Sequence, residues 1–346
     1  MKDQTWGIDK QSFFAFGKKD LGENPNFTSD EEKQIDSLLN FYTPNPLLKQ
    51  IEKCSAWFYS FLSEKMREKI SSAVKKGTKY EVKTNLKSLP SKTIDDLAEN
   101  FKDLKYQGMA SVVLLTHDVD YRKGYDSVLE IAQMEADLGL RASYYFLVQA
   151  GYQISGDLLK KLLEMGHEVG VHGLTYDLRL AYRSKSTIVK QLKSAKQKLE
   201  SLAGQPISGF RNHSLRNSLN MLYAVKAAGF EYESNIYPIK NLNSFNTFFC
   251  WPFSYENQDL VEIPVVWPMD TEIFRNLDLP DQEAYDFYRE KILLIQNLHG
   301  VACLNFHPEI IIDHKEFYQS LINFISKQSF LNLRPKDLAK NYQKKP

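Results

Sequence analysis

From about residue 108 the chain alternates short apolar runs with amphipathic stretches. The runs at 111–116, 142–148, 168–172, 207–211, 232–237, 260–266 and 301–306 lack the polar alternation of a strand with one wet face, so they predict strands buried on both sides. Between them, 127–140, 155–165, 186–202, 218–228 and 282–298 carry apolar residues at helical spacing. Gly139, Gly166, Gly204, Gly229 and Gly300 stand where helix C-caps belong. This many alternating β and α units predict a parallel sheet, open or closed into a barrel. Residues 1–107 lack that rhythm. There, Thr28 and Glu31 have capping-box spacing ahead of Ile35, Leu38 and Leu39, and 47–73 reads as one or two further helices. The expected organisation is a helical extension at 1–107 followed by a barrel domain at 108–346.

Composition narrows the class. Of 346 residues, 43% are hydrophobic and 25% charged, enough apolar chain for a large core. Lys and Arg total 44 against 43 for Asp and Glu, so there is no charge excess to favour nucleic acid as a partner. The six lysines between Lys75 and Lys92 suit a phosphate or an acidic surface, though a solvated face is the plainer reading. Cys54, Cys250 and Cys303 are scattered and odd in number, which indicates a reducing compartment rather than a disulfide framework. No apolar run has the length of a signal peptide or a membrane span, and the expected location is the cytoplasm.

Polar residues close most of the apolar runs, where α/β folds gather their chemistry. The first run ends in Thr116-His117-Asp118-Val119-Asp120, the third in Val171-His172-Gly173, and the fourth in Arg211-Asn212-His213. The sixth ends in Trp267-Pro268-Met269-Asp270 and the last in Asn305-Phe306-His307-Pro308-Glu309. Asp118 and Asp120, two apart on a strand end, point the same way, and a bound cation would offset their repulsion. One aspartate with imidazole ligands suits zinc, leaving the second aspartate as a general base. The competing reading makes the aspartates helix caps and His172 a core histidine. Arg211 emerges from a buried strand and should meet a carboxylate such as Asp118 or Asp270, either at a site or as a structural ion pair. His307 is a candidate general acid, or else a surface loop histidine.

Taken in order over residues 108–327, these motifs resemble the polysaccharide deacetylase superfamily, also called carbohydrate esterase family 4 or NodB-homology proteins. The resemblance implies a distorted (β/α)-barrel with one metal-dependent site. It implies Asp118 as base, Asp120 and His172 as metal ligands, Arg211 as the residue that orients the base, and His307 as acid. Asp270 joins Asp118, Arg211 and His307 as a candidate catalytic residue. Two positions depart from the family pattern. Tyr176 stands at the second histidine of His-x-x-x-His, and His213 stands at the proline of Arg-x-Pro. His213, with Asp177 as the alternative, is the expected replacement ligand, and zinc the expected metal. The implied activity is hydrolysis of an N-acetyl or similar acyl group from an amino sugar, with a sugar-nucleotide or lipid-linked sugar as partner. The alternative is a silent carbohydrate-binding or scaffold protein that has lost the metal.

Overall fold

The computed structural model describes residues 111–236, 250–254, 260–266, 268–297 and 300–343, besides Met66. The expected helical extension, the capping box at Thr28, the lysine-rich stretch 75–92 and Cys54 lie outside the described residues, as do Tyr237 and Leu298 at the ends of two expected elements.

The element order follows the alternation read from the sequence. Strands β1 (Val112–Val119), β2 (Ala142–Leu147) and β3 (Glu168–Gly173) are separated by helices α1 (Arg122–Asp137) and α2 (Gly156–Glu164). Helix α3 (Lys185–Ala203) leads to β4 (Gly209–Phe210), and α4 (Leu219–Ala227) to β5 (Tyr232–Glu233). After β6 (Phe253–Ser254) and β7 (Val261–Glu262), a π-helical segment at Thr271–Asn276 precedes α5 (Asp281–Asn297) and β8 (Val301–Phe306). The described chain ends with α6 (Pro308–Ile311), α7 (Lys315–Lys327), β9 (Leu331–Asn332) and α8 (Pro335–Gln343).

The strands form one sheet in the order β6-β7-β5-β4-β3-β2-β1-β8, parallel except for the β6–β7 pair. Beyond β7 the chain reaches β8, where Val265 bridges Cys303 and the Val266 N–H donates to the Cys303 carbonyl at 2.8 Å. That contact closes the sheet into a distorted barrel. The strand pleat then divides the core. Val113, Leu115, Tyr144, Phe146, Val171 and Leu304 pack outward against the helices. Val112, Leu114, Tyr145, Tyr232, Val261 and Cys303 fill the interior. Leu338 and Ala339 of α8 join the inner cluster.

Helix α3 shows how the local sequence makes an element. The Ser184 hydroxyl caps it by accepting from the Thr187 N–H, its buried face is Ile188, Leu192, Ala195 and Leu199, and Gly204 ends it at φ +68°. Gly300, expected as a cap, does a different job: a Cβ there would lie 2.2 Å from the Cys250 sulfur, so it permits close approach. Helix α1 begins at Arg122 rather than 127 because its first turn, Arg122-Lys123-Gly124, has no apolar signal and is docked by tertiary contact. Gly124 is buried against Glu309 of α6, where a Cβ would meet Oε2 at 2.5 Å. The described residues of the runs at 207–211, 232–236 and 260–266 are mostly irregular, each holding one two-residue strand, to which the third adds the Val265 bridge.

Candidate active site

Period-two alternation on β1 sends Thr116 and Asp118 into the barrel and His117 outward. His117, grouped by sequence with the strand-end histidines, is therefore separate from them. Its Nε2 lies 2.7 Å from Glu135 of α1, a buried carboxylate that also accepts from the Tyr144 hydroxyl at 2.7 Å and from Tyr318.

At the mouth, Arg211 is fully buried and its charge is answered from several strands. Its guanidinium donates to Thr116 Oγ1 at 2.7 Å, Asn305 Oδ1 at 2.8 Å and Ser234 Oγ at 2.8 Å, and to Asp118 Oδ1 at 3.3 Å. It also lies over the Tyr145 ring, 4.6 Å from the centroid. Of the two carboxylates expected for Arg211, the structure selects Asp118. Asn305 completes this cradle by donating to Asp118 Oδ2 at 2.8 Å. The sequence reading missed its role, although its place two residues before His307 on the inward face of β8 was a usable signal. Burial pushes the Asp118 carboxyl up, but His172, Arg211 and His307 outweigh it and hold the group below its ordinary range.

Asp270 partners His307 instead. Its Oδ1 lies 2.7 Å from His307 Nδ1, and its Oδ2 accepts the His307 backbone N–H at 2.5 Å. Burial opposes the imidazolium, yet Asp270 overcomes it and raises His307 to about 10. His307 is buried rather than a surface loop histidine. Glu309, which follows it on α6, was given no role by the sequence reading. It is buried 3.6 Å from Arg275 with neither carboxyl oxygen hydrogen-bonded, and burial, reinforced by Asp120, pushes it up to about 7.

Asp120, His172 and His213 converge beside Asp118. Asp120 Oδ1 lies 3.2 Å from His172 Nε2 and 3.3 Å from His213 Nδ1, and one ligand atom from each residue falls within 4.8 Å of the others. His172 Nδ1 donates to the Arg211 carbonyl at 2.8 Å, which turns the Nε2 lone pair towards Asp120. Burial pushes Asp120 up, but the two histidines hold it well below the ordinary carboxylate range. Burial, with the neighbouring His172, pushes His213 down and keeps it neutral. His307 Nε2 stands 4.0 Å from Asp120 Oδ2, on the carboxylate's other oxygen.

A divalent cation fits this donor set. Two bonds of about 2.0–2.1 Å at a tetrahedral angle put ligand atoms about 3.3 Å apart, and the observed separations are 3.2 and 3.3 Å. Asp120 Oδ1 is buried without a hydrogen bond despite two nearby imidazole nitrogens, as expected of atoms aimed at a common point rather than at each other. Asp177, expected from the sequence as the alternative ligand, lies outside the cluster. Its Oδ1 accepts from Arg179 Nε at 2.9 Å and its Oδ2 from Arg183 Nη2 at 2.7 Å. Tyr176 packs its ring on His213, with centroids 4.5 Å apart.

Among the described residues no helix is long and apolar enough to cross a membrane. Residues 105–233 match the family model for polysaccharide deacetylase. The chain superposes on a structure from Mycobacterium smegmatis assigned as a polysaccharide deacetylase with a TM-score of 0.57 and 16% identity, covering 69% of this chain and 92% of that one. A structure from Pseudomonas aeruginosa PAO1 with the same assignment gives 0.56 and 13%, covering 68% and 92%. Puue allantoinase gives 0.54 and 14%, with the same coverage. No curated protein matches the sequence. At these identities the neighbours establish the barrel, and the family match spans β1, β3 and β4, with Asp118 and His172 on the strands and Asp120 and Arg211 just past their ends. Residues 105–233 of this chain thus match the polysaccharide deacetylase family model, on a barrel fold that the solved neighbours share.

Proposed function

We propose that the chain is a metal-dependent hydrolase that removes an acetyl or similar acyl group from the nitrogen of an amino sugar, with Asp120, His172 and His213 as the metal ligands. Zinc is the cation that best suits two imidazoles and one carboxylate. When bound, it would polarise the amide carbonyl and lower the pKa of water beside it. The remaining steps fall to the protein's own groups. Asp118, ionised and oriented by Arg211 and Asn305, takes the proton from the attacking water. His307, kept as imidazolium by Asp270, gives its proton to the sugar nitrogen as the carbon–nitrogen bond breaks, releasing carboxylate and amine. Proton acceptor and proton donor thus both border the ligand cluster, Asp118 3.9 Å from His172 and His307 4.0 Å from Asp120, each already in the charge state its role needs.

The observation that carries this reading is the orphaned Asp120 Oδ1 between two imidazole nitrogens. Metal analysis of protein purified without chelators tests it, together with acetate release from N-acetylated amino sugars. Stoichiometric zinc or another divalent cation, and acetate release that a chelator abolishes, is the expected result. Protein that binds sugar but holds no metal and releases no acetate would be the silent carbohydrate-binding protein instead.

A further inference from the structure

The route by which His213 reaches Asp120 is unusual. His213 begins a short 3₁₀ turn, 213–215, immediately after β4, and the two residues behind it are left-handed: Ser214 has φ 51° and ψ 25°, and Leu215 has φ 49°. Neither is glycine, and for a bulky residue such as leucine this conformation is an outlier. A strained backbone persists only where its surroundings over-determine it, and here they do. Leu215 is buried in the inner barrel core, and its N–H donates to the Asn212 carbonyl at 3.1 Å. The Asn212 side chain donates to the Arg216 carbonyl at 2.6 Å, while the Asn212 N–H donates to Asn235 Oδ1 at 2.7 Å. Ser214, by contrast, is exposed. The direction of the His213 side chain is what such a turn fixes. Its imidazole then sits between two rings, 4.2 Å from the His172 centroid and 4.5 Å from that of Tyr176.

We infer that the left-handed turn at Ser214–Leu215 and the ring of Tyr176 are positioning devices for a relocated metal ligand. The turn swings His213 Nδ1 to within 3.3 Å of Asp120, and Tyr176, standing where a ligand histidine would come from β3, gives His213 its packing surface. Neither residue coordinates the cation. The inference rests on the reading of His213 as a ligand. Its physical content is preorganisation: a ligand already held in place loses less freedom on binding, so releasing it weakens affinity without removing a donor atom.

Zinc titration of the metal-free full chain against a competing chromophoric chelator, with a melting curve to establish folding, tests the idea. His213→Ala should abolish tight zinc binding. Ser214→Gly should keep the parent affinity, because glycine takes φ near +51° freely. Ser214→Val, which deletes the same exposed hydroxyl but resists left-handed φ, should raise the zinc dissociation constant about tenfold or more. Tyr176→Phe should bind within about twofold of the parent and Tyr176→Ala about tenfold more weakly, since the ring and not the phenol supports His213. If Ser214→Val does not fold, the Tyr176 pair decides alone. Normal zinc affinity in Ser214→Val and Tyr176→Ala, alongside its loss in His213→Ala, overturns the positioning role and leaves the ligand intact. Equal loss in Ser214→Gly and Ser214→Val assigns the effect to the hydroxyl and overturns it too. Normal binding by His213→Ala removes both the ligand and its supports.

Discussion

The Asp270–His307 pair sets the alkaline limit of the proposed reaction. With its Nδ1 2.7 Å from Asp270 Oδ1, His307 is raised to about 10, against about 6.5 for an unperturbed histidine. In Asp270→Asn the largest raising charge is gone and burial is opposed only by the weaker pull of Glu309 and Asp118, so the imidazole should fall from about 10 towards the ordinary histidine value of about 6.5. At that value the acid form at pH 8 falls from about 99% to about 3%, and hydrolysis of an amide, whose nitrogen needs the proton, should drop by up to about 30-fold. An activated aryl ester, whose leaving group departs unprotonated, should lose little. The rate–pH profile on the amide should therefore lose its alkaline side in the variant. Stability gives an independent check. Because the folded-state pKa is raised, the pair's contribution is fully present below about pH 6.5 and is lost as pH rises through about 10. It is worth on the order of 5 kcal/mol at most. Denaturant melts of metal-free parent and variant should differ most at pH 6 and converge towards pH 10. An alkaline limb that stays in place, or equal losses on amide and ester, would refute the assignment of His307 as the acid held by Asp270.

Asp118→Asn should retain the metal and lose about 10²–10⁴ in rate, whereas Asp120→Ala and His172→Ala should lose the metal itself, as metal content and turnover on the same preparations will show. Equal metal loss in all three variants would mean that the roles are divided wrongly. On the outer face of β1, Glu135→Ala leaves His117 without the carboxylate 2.7 Å away. It should cost about 3–5 kcal/mol in denaturant unfolding, while the folded fraction keeps its metal stoichiometry.

Much of the barrel could be read from the sequence because a strand covered on both faces must be apolar along its length. Those runs located β1, β2, β3 and β8 and the helices between them. Cap chemistry did the same for α3, where Ser184 and Gly204 bound a helix whose buried residues recur every three or four positions. Short edges were harder to see. Two-residue strands such as β6 and β9 carry no periodicity, and the first turn of α1 owes its place to Glu309, 185 residues away in the chain.

The candidate site divides along the same line. Side-chain alternation and strand-end position are local properties, so they could nominate Asp118, Asp120, His172, Arg211 and His307 individually. Which groups meet is a property of closure. Only the barrel decided that Arg211 pairs with Asp118 and Asp270 with His307. It also turned His117 outward to Glu135 and left Asp177 to Arg179 and Arg183. The geometry of His213 was the least legible element. Its approach to Asp120 depends on two residues holding left-handed φ against their own preference, and a sequence records preferences, whereas the packing that overrides them exists only once the strands have come together.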